Sequence, residues 1–116
     1  MNNYRRLATW ILAVVLAALF ALIGLSKLSG SAGRGWGERF QHWGFPPEIR
    51  YVIGAAELIG AAGLLIPKVR RWAVGLLVLL MAGAIGVHAV NAEYPRMIPP
   101  FVLGTLVLLT GMRPSS

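Results

Sequence analysis

The chain contains no cysteine. Disulfides, thiolate nucleophiles, CxxC redox chemistry and Cys-ligated iron–sulfur or zinc sites are therefore excluded. Charge is scarce as well: Asp, Glu, Lys and Arg together make up 13% of the 116 residues, about half the share of an ordinary soluble domain. No Ser/His/Asp arrangement for nucleophilic catalysis is visible. The glycine-rich stretch at residues 30–37 lacks the preceding strand and the spacing of a phosphate loop. One glutamate and one or two histidines are too few for a metal site.

What the sequence has instead is apolar length. Hydrophobic residues make up 57% of the chain, more than a soluble domain of this size can bury. Lipid as the surrounding solvent removes the difficulty. The net charge of +7 does not imply a nucleic-acid partner, because the basic residues are singles and pairs between apolar runs, not a patch. Arg and Lys beside membrane spans follow from topology.

The expected architecture is all-α: one domain over residues 1–116, an integral membrane bundle with four spans at about residues 7–28, 49–66, 72–90 and 97–112. The first run is uncharged over residues 7–25, about 28 Å of helix. A cleaved leader ending in the small residues 29–33 is the competing reading, but its apolar part should be shorter, about 7–15 residues. Residues 29–48 form the one sizeable loop. It opens with a Gly/Ser stretch expected to break the helix. Trp36, Phe40 and Trp43 then recur at helical spacing, which predicts a short helix lying in the headgroup layer as an interfacial aromatic face. The fourth run is short and opens with Pro99 and Pro100, so either it starts near Tyr94 or the bilayer thins around it.

With a cytoplasmic N-terminus, the inner side carries Arg5, Arg6, Lys68, Arg70, Arg71 and Arg113, and the outer side Lys27, Arg34, Arg39, Arg50 and Arg96. The dense inner turn favours both termini inside, in a cell (inner) membrane. Close helix packing in lipid favours small residues. Gly54, Ala56 and Gly60 in the second span and Ala82 and Gly86 in the third predict an antiparallel contact between them.

Glu57 lies mid-span, where a carboxylate needs a partner, water or a proton. Lys27, His88 and Asn91 fall toward the same half. The four are expected to form one polar cluster, either structural or a ligand or proton site.

The motifs, in order, are Gly24-Leu25-Ser26-Lys27-Leu28, then Phe40 followed by Gly44-Phe45-Pro46, then Gly54-x-x-Glu57-x-x-Gly60-Ala61-x-Gly63-Leu64-Leu65. Arg71-x-Ala73 and Met81-x-x-Ala84-x-x-x-His88 continue the pattern. Over residues 21–88 this order resembles the DoxX-like membrane family. That resemblance implies a four-helix membrane bundle and, in some members, membership of membrane oxidoreductase assemblies: quinone-linked thiosulfate oxidation or oxidative-stress complexes. It places the family's recurrent polar positions at Lys27, Glu57 and His88. It also implies that the chain is not an enzyme on its own but an accessory subunit that binds a quinone or anchors partner subunits. Two alternatives stand beside it. One is a small proton-coupled transporter, although such proteins carry their glutamate in the first span. The other is a structural membrane protein without activity.

Overall fold

The computed structural model describes residues 3–112, and no strand occurs among them. The first helix, α1 (Asn3–Leu28), is followed at once by α2 (Gly30–His42). The Gly/Ser stretch expected to form an open loop is instead the first turn of α2. Two residues suffice for the change of direction: Ser29 is extended, and Gly30 takes φ +71°, which a side chain would disfavour. The Gly33 N–H then bonds the Ser29 carbonyl at 3.1 Å and restarts the helix.

The end of α2 is closed by a left-handed glycine cap. Gly44 has φ +93°, the Phe45 N–H reaches the Phe40 carbonyl at 2.8 Å, and the Gly44 N–H reaches Gln41 at 3.0 Å. A turn through Pro46 and Pro47 leads into α3 (Ile49–Leu64). This helix stops two residues before the expected end because the Leu65 and Ile66 N–H groups bond three residues back, to Ala62 and Gly63. Next comes α4 (Arg70–Val90), which begins two residues earlier than expected. A 3-10 turn, Tyr94–Met97, then runs directly into α5 (Ile98–Met112). Arg113 lies outside the described residues.

Both α1 and α4 are long and apolar enough to cross a membrane. The other two apolar helices are shorter: 16 residues in α3 and 15 in α5. In space α3 lies between α1 and α4, while α5 packs on α4 and touches α1. Leu16 and Phe20 from α1, Leu64 from α3, Leu77 from α4 and Val107 from α5 share one fully buried core.

Small residues set the helix spacing, though not all where the sequence suggested. The tightest crossing joins α1 to α3 at Gly24 and Gly54: a Cβ on either would come within 2.8 Å of the other's carbonyl oxygen. Between α3 and α4 the small residues meet near the turn, where a Cβ on Gly63 would come 2.7 Å from the Ala73 Cβ. The Leu77 side chain fills the notch at Gly60, where a Cβ would meet it at 2.5 Å. Ala56 is half-buried. The expected packing role of Ala82 and Gly86 is not seen in this chain. Both are exposed, and a Cβ on Gly86 would meet nothing within 4 Å. The buried face of α4 runs instead through Arg70, Ala73, Val74, Leu77 and Met81.

The surface is apolar for a water-soluble protein, and three charged residues are enclosed. Leu22, Val52, Ile59, Leu79, Val90 and Phe101 are all exposed, while Lys27, Glu57 and Arg70 are buried.

Candidate functional site

Glycine at positions 24 and 54 lets two backbones touch, and the next polar residue along each helix then falls against the other. Lys27 is one turn beyond Gly24, and Glu57 is one turn beyond Gly54. The Lys27 ammonium donates to Glu57 Oε1 at 2.5 Å, and the residues are 6% and 0% exposed. In so apolar a setting each charge is tolerable only because the other is present. The second carboxylate oxygen, Oε2, is buried without a hydrogen-bond partner among the described residues. Lys27 Nζ also sits 4.4 Å from the Trp36 ring centre, a cation–π contact that covers its open side.

That contact depends on α2. Trp36 is fixed by donating from Nε1 to Ser26 Oγ at 3.1 Å, while Ser26 in turn donates to the Ile23 carbonyl. Phe40 meets the Trp36, Trp43 and Phe45 rings at 5.5 to 6.3 Å. The aromatic face of α2 was expected to rest among headgroups. Phe40 is buried within it, while Trp36 and Trp43 are half-buried and lean on Ser26 and His88. A second clamp holds α2 from α3: Arg50 lies along Gly33, where a Cβ would run into its guanidinium, and Gly37, and it donates to the Lys27 carbonyl at 2.9 Å.

His88 and Asn91 do not join the Lys27–Glu57 pair. Asn91 donates to the carbonyl of Val87 in its own helix at 2.8 Å. His88 Nδ1 lies 2.9 Å from Glu93 Oε1, and its ring meets Trp43 edge-on at 5.3 Å. Glu93 also accepts from Trp43 Nε1 at 3.0 Å and faces Arg96 at 3.6 Å. The His88 hydrogen bond, aided by Trp43 and Arg96, holds the Glu93 carboxyl below the usual carboxylate range. The expected single cluster is thus two polar pairs, Lys27–Glu57 and His88–Glu93. The ring contacts of Trp36, Phe40 and Trp43 run between them. The separation has a local cause: α4 ends in a left-handed cap at Ala92, φ +57°, and this folds Glu93 back onto His88.

Two clefts lie nearby. One, about 380 Å³, is lined by Glu38, Arg39, His42, Trp43, Glu93 and Arg96, among others. The second, about 300 Å³, is an apolar groove lined by Ile85, Tyr94, Met97, Ile98 and Phe101. Neither Lys27 nor Glu57 lines either one. Among the described residues no three His, Asp or Glu side chains converge as metal ligands.

The DoxX-like family model matches residues 11–110. The chain belongs to the DoxX-like family. No curated protein and no solved structure matches it. The family match extends past the motifs legible in the sequence and takes in most of α5, whose composition alone carried no signature.

Several working residues of this DoxX-like chain escaped sequence reasoning. Nothing in the spacing around Glu93 marks a left-handed turn at an alanine. Arg50 looked like an edge cation. Arg70 looked like one of three solvated charges, yet it is 4% exposed, with Nε donating to the Leu64 carbonyl at 2.8 Å and its guanidinium 4.6 Å from the Trp10 ring. A signal for Arg70 was present: it stands four residues before Val74, on the apolar side of α4.

Proposed function

We propose that this membrane-associated DoxX-like protein is a single domain of four spans in the inner membrane, with both termini cytoplasmic. Its proposed role is as an accessory subunit of a membrane oxidoreductase or oxidative-stress assembly, not as an enzyme on its own. The observation that carries the reading is the apolar surface. Large apolar side chains face outward along α1, α3, α4 and α5, while the charged pair Lys27–Glu57 is enclosed. Water would not tolerate so much contiguous apolar surface on a monomer, and lipid requires it. On this reading α3 and α5 span with local thinning of the bilayer, or in α5 with help from the 3-10 turn.

The Lys27–Glu57 pair is closed on all sides and touches neither cleft, which favours an architectural role over contact with a ligand. It also leaves a proton-coupled carrier without an entry path to Glu57. If the assembly holds a quinone, the apolar groove beside Tyr94 is the surface of this chain suited to it, with one hydroxyl available to a carbonyl. The test is purification from native membranes in mild detergent, followed by lipid extraction and identification of co-purifying proteins. A redox partner or bound quinone is expected. Recovery of the chain with neither contradicts the role.

A further inference from the structure

The charges at the two ends of the helices are not balanced alike. All four acids of the chain are Glu38, Glu48, Glu57 and Glu93. Three belong to the end that holds α2 and the 3-10 turn, and Glu57 is consumed by Lys27. The opposite end holds the start of α1 and the α3–α4 turn, with Arg5, Arg6, Lys68, Arg70 and Arg71 and no acid at all. One of these cations is not free to seek counter-ions in water. Arg70 is buried, its Nε is committed to the Leu64 carbonyl, and its enclosed Nη2 has no hydrogen-bond partner among the described residues. An enclosed guanidinium with no acidic side chain at its end of the molecule favours an anion drawn up from outside the chain.

We propose that this end carries a binding site for the phosphate of an anionic phospholipid, centred between α1 and the start of α4. Trp10 forms its wall, with Arg70 stacked on the ring at 4.6 Å. Arg6 precedes Trp10 by four residues and is exposed, so it sits one turn nearer the helix end on the same side. Lys68 is exposed in the adjoining turn. The geometry suits a headgroup better than a protein carboxylate. Trp10 is flanked on α1 by exposed Leu7, Ile11 and Val14, an apolar strip along which acyl chains can lie while the phosphate meets the cations at the helix end. Arg70 supplies the fixed charge. Arg6 and Lys68 supply flexible donors that close over the phosphate. The proposal rests on the membrane-spanning reading above.

The experiment uses the full chain in phosphatidylcholine nanodiscs, with phosphatidylglycerol titrated in and thermal unfolding followed by far-UV circular dichroism. The expected result is a saturable rise in Tm with phosphatidylglycerol, which inorganic phosphate at equal concentration does not reproduce. Arg6→Gln and Lys68→Gln change exposed residues. Each should weaken the lipid effect about fivefold while leaving Tm in pure phosphatidylcholine unchanged. Arg70→Gln removes the enclosed charge and should lose most of the selectivity, with Tm in pure phosphatidylcholine as the control for folding. Equal stabilisation by both lipids overturns the proposal, as does a lipid effect indifferent to Arg6→Gln and Lys68→Gln. Full reproduction by inorganic phosphate overturns it in favour of a free-anion site. Alkaline-carbonate extraction of the same membranes tests the spanning reading separately. A chain that stays in the membrane but shows no lipid selectivity loses only the headgroup site.

Discussion

Ala92 and Glu93 show how one residue's backbone decides another's chemistry. The caps that end α2 and α4 are the same motif with different residues at the left-handed position: Gly44 at φ +93° and Ala92 at φ +57°. Alanine is strained there because its Cβ crowds the carbonyl. Ala92→Gly is expected to raise stability by about 1 kcal/mol, read from chemical unfolding. No loss of the Glu93 contacts should follow, because the glycine favours the same turn. Glu93 itself makes stability depend on pH. Its carboxyl is held below the usual range by His88, Trp43 and Arg96. Its contribution is therefore complete above the ordinary carboxylate pKa and is lost as pH falls through the lowered folded-state value. Acidification into that window should change the Trp43 fluorescence as its indole loses the carboxylate. Glu93→Gln should abolish that acid transition, and Trp43→Phe should remove the signal.

At the scale of elements, the identity and order of the helices were legible because uninterrupted apolar runs and the Pro67 and Pro99–Pro100 breaks set coarse boundaries. The helix ends were not legible, since Leu65, Ile66 and the 3-10 turn at Tyr94–Met97 depend on backbone bonds that composition does not encode. The meeting of Lys27 with Glu57 was foreseeable from the energetic need of a buried carboxylate. The departure of His88 and Asn91 was not, because helical spacing gives a side chain's direction but not where the chain turns next. Small-residue spacing misled in a specific way: α4 meets α3 through Ala73 on Gly63, near the turn, and not through Ala82 and Gly86. Two alanine substitutions separate the cases. Gly24→Ala forces a Cβ to 2.8 Å from the Gly54 carbonyl, a backbone contact that cannot swing aside. It should destabilise by about 1–3 kcal/mol in thermal or chemical unfolding. Gly86→Ala meets open space and should be neutral or slightly stabilising, since alanine is the better helix former. Equal effects at the two positions would show that α1 and α3 do not cross at Gly24.

Over the whole molecule, the chain encloses few charges and turns its large apolar side chains outward. Its integrity depends on how the enclosed charges are compensated. The Lys27–Glu57 pair ties α1 to α3, with Trp36 of α2 laid over it. If that tie holds the helices together, the two charges act as one unit. Removing either leaves the other stranded at a cost of about 3–5 kcal/mol, whereas removing both is far milder. The direct measurement is a double-mutant cycle on unfolding free energy with Lys27→Met, Glu57→Leu and the pair combined. The expected result is two severe single variants and a double variant close to the wild type. Single effects that are small, or that simply add in the double variant, would contradict a buried ion pair at the centre of this fold.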